Sequence, residues 1–520
     1  MKKLFISVAL MLCFSLTQNA QNTGYLRVGI NGSLEKIERV STGGYITVGS
    51  DSVYKVQIIR WDDNFNMLWK YKVTDALCTG SFPKIVEAND GSFYFMSSST
   101  EHTSSTYILK ISSTGTLLWQ KVYYLSSGNL YSQALSKASG TDNGFLFGGG
   151  QCTLNNYIIK CDANGGIVWQ YQYFYPLSTG VITCWSIIPE GTGYVVSSGY
   201  NINSLLTMKL DALGTVLSHS AYTYTGMQII PMRIVKLNAT GGYAIMGNYN
   251  NSNNNKTEFV AFYNNALVLQ SFNELTVTYT QFTLNDITAI NNGRNVVVDG
   301  SIYDGSAFTL VTIKLANTGS VVWKKRAAGN TSTSNKNVEF RGIAAYGNST
   351  VHAGQGYNEG RVVAVMDTNG NGLCNDVAFA MTNVHPTLTL QSQTITPAAS
   401  SVIVTDVTYT YNNSASTSKY LYCGNLSGLE ENESTQTIST SISPNPANSE
   451  CVISFAGEEI GANAQITIYS ISGQAVYSTT IAANCVSKTI DVRSLTEGLY
   501  LVQIRSENQV LANKRLIILR

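Results

Sequence analysis

A self-similar unit of about fifty residues recurs along most of this chain, and a repeat of that length constrains the fold more than any other feature of a sequence. Three stretches carry it most plainly: YILKISSTGTLLWQK, YIIKCDANGGIVWQY and LVTIKLANTGSVVWKK. In each, a Lys is followed by a Gly five residues on and a Trp nine residues on. Followed along the chain, the Lys column reads Arg60, Lys110, Lys160, Lys209, Ala261, Lys314 and Val365. The Gly column reads Phe65, Gly115, Gly165, Gly214, Ala266, Gly319 and Gly370. The Trp column reads Trp69, Trp119, Trp169, Ser218, Gln270, Trp323 and Cys374. A second signature precedes each copy, a Gly-rich turn followed by a short apolar run such as GGYITVG or TGYVVSSG. Both signatures occur in seven copies in one register.

Each unit reads as four strands. In the third these fall at 131–138, 145–149, 157–161 and 167–173, with the hairpin chemistry of Asp162–Gly165 between the last two. Four strands per unit of this length predicts an all-β chain built on a seven-bladed β-propeller over residues 22–373. The Trp column is expected to fill the wedge between blades. The Asp column (Asp62, Asp162, Asp211, Asp367) is expected to make Asx turns. The seventh unit lacks the pattern of its last strand, while Gly24–Ile30 precedes the first unit; this N-terminal strand is expected to complete blade seven and leave no open edge. The units resemble the tandem repeats of secreted bacterial propellers reading roughly DGGYIVAG…IKTDANGNLLWSKTYG. That resemblance implies a scaffold and little about ligand.

Only 12% of the 520 residues are charged and the net charge is +1, which argues against a nucleic-acid partner. Lys2 and Lys3 precede an apolar run from Leu4 to Leu16, the pattern of a signal peptide over residues 1–20 with cleavage after Ala20. Met11 and Leu12 are too large for a lipoprotein site at Cys13. No later segment is long and apolar enough for a transmembrane helix. Eight cysteines follow the signal, an even number compatible with disulfides in an exported protein. Cys374 and Cys423 bracket one segment and can pair, and Cys451 and Cys485 either form a second bridge or remain free.

Residues 374–425 show no repeat pattern and are expected to be a β extension of uncertain fold, with an eighth, divergent blade as the alternative. Residues 426–440, LSGLEENESTQTIST from Leu426, are polar and acidic and read as a linker. Residues 441–520 read as several short strands. Here Pro444-Asn445-Pro446, Ile468-Tyr469 with Gly473, Ile490-Asp491-Val492, Leu495, Gly498, Tyr500-Leu501-Val502 and Lys514-Arg515 are spaced to the chain end. This segment resembles the type A C-terminal sorting domain of the Bacteroidetes type IX secretion system. The resemblance implies a small Ig-like β-sandwich and export across the outer membrane. It also implies two partners, the secretion machinery and a sortase-like protease. The cargo would end attached to surface lipopolysaccharide or released.

No catalytic motif is present, and the four His are not paired at metal spacing. Asp367–Asp376 partly resembles a calcium loop, but Ala378 stands where a bidentate Glu is wanted. No cofactor is expected. The function expected is a binding or adhesion scaffold for surface glycans or proteins rather than an enzyme. A secreted carbohydrate-active or other hydrolase, with its site on a propeller face, is the alternative.

Overall fold

The computed structural model describes residues 23–28, 32–51, 55–73, 83–101, 104–126, 128–150, 156–175, 182–199, 203–250, 256–305, 307–327, 338–356, 360–372, 376–377, 379–391, 395–399, 402–407, 411–412, 419–425, 439–456, 464–470, 475–482, 485–506 and 509–519. The chain divides into two compact units, 1–427 and 428–520.

In the first unit every copy of the repeat forms one sheet, and there are seven such sheets. The third, for example, runs Ser132–Lys137, Phe145–Gly149, Tyr157–Cys161 and Ile167–Phe174 in antiparallel order. The first strand of each sheet lies against the first strand of the next. The circle closes where Ser33–Arg39 of the first sheet meets Val338–Tyr346 of the seventh. The cores lie between neighbouring sheets: Leu146 and Ile158 of the third pack with Val196 and Met208 of the fourth. Thr23–Val28 pairs antiparallel with Gly360–Met366 and occupies the fourth-strand place in the seventh sheet.

The recurring residues act where sheets meet. Each Trp donates its indole N–H to a turn carbonyl of the following sheet: Trp69 to Ser113 at 2.9 Å, Trp119 to Ala163 at 3.0 Å, Trp169 to Ala212 at 3.0 Å and Trp323 to Thr368 at 3.1 Å. Gly115 and Gly370 of the Gly column pass beneath the rings of Trp69 and Trp323. A Cβ on Gly115 would lie 2.9 Å from Trp69, and its φ of +88° suits only glycine well. The Asp column makes the Asx turns: Asp162 Oδ1 accepts from Asn164 N at 2.8 Å and Gly166 N at 2.9 Å, and Asp367 does the same with Asn369 and Asn371. The carboxylate of the partial calcium loop is therefore committed to its own backbone. Two lysines of the Lys column bind the preceding Gly-rich turn, Lys110 to Asp90 at 2.8 Å and Lys160 to Asp142 at 2.6 Å, while Lys209 and Lys314 reach the following unit at Asn265 and Thr368.

Two readings of the sequence are corrected here. In the fifth unit the register is one residue later than expected. Tyr243 pairs with Tyr263 as Tyr45 pairs with Trp61, so Phe262, Leu267 and Ser271 take the column places assigned to Ala261, Ala266 and Gln270. Leu267 adopts φ +60°, as Phe65 does at +61° in the first unit. A left-handed turn position filled by Leu gives no sequence signal, which is why the alignment slipped.

The second correction concerns 374–425, which forms neither a separate extension nor an eighth sheet. Its strands are dealt out singly, one to the outer edge of each sheet. Asp376–Val377 joins the sixth sheet, Met381–Val384 the fifth, Thr389–Gln391 the fourth, Thr396–Ala399 the third, Ile403–Asp406 the second and Tyr411–Asn412 the first. Lys419–Asn425 then pairs with Thr23–Val28 in the seventh. The chain thus runs back around the circle as a belt. Register fixes its step. Tyr171 pairs with Ala399 and Lys121, at the same place one sheet earlier, with Asp406, so one sheet is crossed in seven residues. Leu388, Ile395 and Val402, seven apart, are all buried, and each enters a different inter-sheet core. Gln170 grips the belt backbone, accepting from Val402 N at 2.7 Å and donating to its carbonyl at 3.3 Å. The long outer strand of every sheet is thereby paired, and the edge that remains is, in six of the seven sheets, a strand of two to four residues, which blunts the edge hazard of open sheets.

The second unit is a two-sheet sandwich. Ser439–Ser443, Glu450–Ala456 and Ser487–Asp491 form one sheet, and Ala464–Ser470, Ala475–Ile481, Gly498–Ser506 and Gln509–Ile518 the other. Ile453, Ile466, Ile468, Val502 and Leu516 fill the space between them. Cys451 and Cys485 are both free thiols. Cys451 pairs with Ile490 and Phe455 bonds to Val486, so Cys485 lies opposite the far end of the strand. At about 3.4 Å per residue that is on the order of 17 Å away, beyond the roughly 7 Å a disulfide tolerates. Cys374, the Cys423 side chain, Ala20 and Gly473 lie outside the described residues.

Candidate functional site

The innermost strands of all seven sheets surround an axial cavity of about 550 Å3. Five cations, Lys36, Arg39, Lys137, Arg233 and Lys236, face it together with two carboxylates, Glu38 and Glu87. One position in the repeat supplies Lys36, Ser186 and Arg233 to this lining and the groups that brace them behind it. In six sheets the first strand carries a β-bulge just before this position, as between Leu34 and Lys36 or Leu284 and Asp286. A bulge re-aims the side chain that follows it. Taken sheet by sheet, the position holds Lys36, Lys84, Ala134, Ser186, Arg233, Asp286 and Gly342.

These residues form a charged network. Asp286 Oδ2 accepts from Lys36 at 2.6 Å and from the backbone N–H of Ile343 at 3.2 Å, and Oδ1 accepts from Arg233 at 2.8 Å. The intervening seventh sheet has only Gly342 at this position. Glu38 lies 3.1 Å from Lys36 and 3.8 Å from Arg233. Burial alone would raise the Asp286 carboxyl, but Arg233 and Lys36 hold it well below the ordinary carboxylate range. Asp299, opposite Asp286 in the register, goes the other way: burial, and then the Asp286 charge, raise it far above that range. Asp299 meets His352 Nδ1 at 3.3 Å, and burial pushes His352 down to about 3. Opposite pKa displacement in adjacent carboxyls is the usual sign of an acid–base pair. Here both are sealed, Asp286 at 2% and Asp299 at 0% side-chain exposure, so no substrate reaches them.

Lys84 differs from its neighbours. It is half-buried and makes no ion pair or hydrogen bond among the described residues. Burial, reinforced by Arg233 and Lys36, pushes it down to about 7. None of these axial residues was singled out from the sequence. The position changes residue type from unit to unit, so no column betrays it; only the register does.

The second unit places its motif residues as follows. Asn445 bridges to the last strand, donating to Arg515 O at 2.8 Å and accepting from Ile517 N at 2.8 Å. Pro444 and Pro446 flank it, both in cis linkage. Tyr500 donates to Thr496 O at 2.8 Å, closing the turn that holds Leu495 against the core and leads into Gly498. Lys514 pairs across from Val502 and Arg515 from Leu501, and Arg515 is exposed. These residues belong to one hairpin and its clasp rather than to a pocket.

The fold and these sites define an all-β propeller joined to a small β-sandwich. Residues 441–519 match the family described as the secretion system C-terminal sorting domain, which makes the chain a type IX secretion cargo, exported to the cell surface or the extracellular space. No curated protein matches the chain. Among solved structures it is similar to Raptor of Chaetomium thermophilum, at 9% identity and TM-score 0.41, over 66% of this chain but only 29% of that one. It is also similar to Sqt1 of the same organism, at 11% identity and TM-score 0.40, over 68% and 99% of the two chains. A third is a polysaccharide lyase of family PL25, an ulvan lyase, at 10% identity and TM-score 0.41, over 67% and 97%. No helix among the described residues is long and apolar enough to cross a membrane.

Proposed function

We propose that the protein is an exported binding module. It would be led across the inner membrane by a signal peptide cleaved after Ala20 and carried out by the sorting unit. On the surface or released, it would present the axial cavity to a ligand. The observation that supports this reading is the cavity itself: about 550 Å3, lined from all seven sheets, with cations braced by ion pairs. That volume is in the range of small-molecule sites, and a braced polar lining loses little entropy on binding. The test is a glycan and peptide panel probed with the full chain. Saturable binding that a cavity substitution such as Arg233→Met abolishes supports the module. An unaffected profile would sink it.

A second reading is a hydrolase, because Glu38 and Glu87 line the same cavity. Against it, Glu87 is engaged by Ser41 N at 2.8 Å and Ser41 Oγ at 2.6 Å, and Glu38 by Lys36 and Arg233. Polysaccharide turnover lost in both Glu38→Gln and Glu87→Gln would establish the enzyme.

A further inference from the structure

We propose that the axial cavity takes a neutral saccharide, and that Glu38 and Arg233 together receive two hydroxyls on neighbouring ring carbons. This deepens the binding-module reading and rests on it. Glu38 of the first sheet and Arg233 of the fifth both line the cavity, with side chains 35% and 20% exposed, and Arg233 Nη2 lies 3.8 Å from Glu38 Oε1. Each is held from behind. Lys36 sits 3.1 Å from the same Glu38 oxygen, and Asp286 accepts from Arg233 Nε at 2.8 Å. Each also keeps bonding capacity in hand. Among the described residues nothing donates to Glu38 Oε2, and neither terminal nitrogen of Arg233 lies within hydrogen-bond distance of an acceptor.

A cationic donor beside an anionic acceptor selects what it binds. A carboxylate or sulfate drawn to Arg233 would meet the Glu38 carboxylate next to it, and an ammonium drawn to Glu38 would meet Arg233 and Lys36. Like charges brought together at a binding site are costly. A hydroxyl carries no charge and both donates and accepts. Two of them on adjacent carbons offer, from one side, a proton to Glu38 and a lone pair to Arg233. A single trans peptide group does not, because its N–H and C=O point to opposite sides. Both bonds would be charge-assisted, the stronger kind. Their protein halves are fixed by Lys36 and Asp286 before the ligand arrives, so little ordering entropy is lost. The rest of the lining suits a sugar ring: Thr288 and Ser136 add hydroxyls, and Ile188 and Val235 add apolar surface for ring C–H groups.

The experiment screens the full chain on an array of neutral oligosaccharides, with uronate-bearing and sulfated glycans and blocked peptides as comparators, and titrates the hits calorimetrically. Neutral saccharides are expected to bind, with an affinity nearly independent of salt. Arg233→Lys keeps a cation on Asp286 but removes the guanidinium edge, and Glu38→Gln keeps the shape but removes the charge. Each is expected to weaken the saccharide about tenfold at a nearly unchanged melting temperature. A deoxy form of the hit, lacking either hydroxyl, should bind wild type about as weakly as the variants bind the parent sugar. Lys137→Met, elsewhere on the lining, should leave saccharide binding unchanged. Saccharide binding indifferent to both Arg233→Lys and Glu38→Gln overturns the proposal. Anionic glycans or peptides that bind in place of neutral saccharides, and are weakened by Arg233→Lys, overturn the saccharide assignment while the binding-module reading stands. No binding by any class brings down both.

Discussion

The blades and the belt are both periodic, yet one period is about fifty residues and the other seven, and only the longer is visible in composition. Within a blade, identity is imposed by geometry. A left-handed turn under an indole admits glycine, as at Gly115, and the turn beside it calls for an Asx or hydroxyl acceptor. In the belt a strand is two to four residues long over the first six sheets, and its backbone does most of the pairing. Only one side chain per step, such as Leu388, Ile395 or Val402, must be apolar. A motif demanding four residue types announces itself; a motif demanding one aliphatic residue in seven does not.

Deleting 376–425 in frame is the severest test of that contrast. It uncovers the outer strand of seven sheets and removes four buried apolar anchors, Phe379, Leu388, Ile395 and Val402, so loss of the cooperative melt and aggregation are expected. A deletion variant that stays monomeric with an unchanged melting curve would reduce the belt to decoration. Single anchors come next. Leu388→Ala should cost about 2–4 kcal/mol in denaturant unfolding, whereas Leu390→Ala, at 58% exposure two residues on, should cost less than about 0.5 kcal/mol. Equal effects would show that the seven-residue step has no energetic meaning.

The blades can be probed through Glu258, buried at 1% exposure, paired with Lys256 at 2.8 Å and hydrogen-bonded by the backbone of Leu284. Burial raises its carboxyl to about 7, so folding favours the protonated form. Its contribution is present in full below about pH 4.5 and is lost as pH rises through 7. Glu258→Gln should therefore stabilise the protein by about 3 kcal/mol at pH 9 and hardly at all at pH 4. A pH-independent difference between the two melts would refute this account. The smallest effect belongs to the indole links: Trp169→Phe keeps the ring packing but loses the bond to Ala212, at a cost of about 1 kcal/mol.

Much of the first unit could be read in advance because its repeating residues serve turns and sheet-to-sheet contacts, which recur by necessity. The strand limits of the third unit differ from those read off the sequence by a single residue at each of three ends. The reading failed where a demanding position was filled by a permissive residue, as with Leu267, or where the constraint was sparse, as along 374–425. The axial site was hidden for a different reason. Its members share a position but not a chemistry, and Lys36, Arg233 and Asp286 are meaningful only as partners. The cysteines of the second unit misled because parity suggested pairing, while register keeps Cys451 and Cys485 apart.

The belt also sets how the first unit answers a mechanical pull. Tension arriving through the chain beyond residue 425 meets Lys419–Asn425 first, lying on Thr23–Val28. Whatever yields there passes the load to the first sheet, then the second, and so on to the sixth, in the order in which the belt is laid. The rim would yield sheet by sheet, and each release would withdraw one anchor from an inter-sheet core before the load reaches the axis.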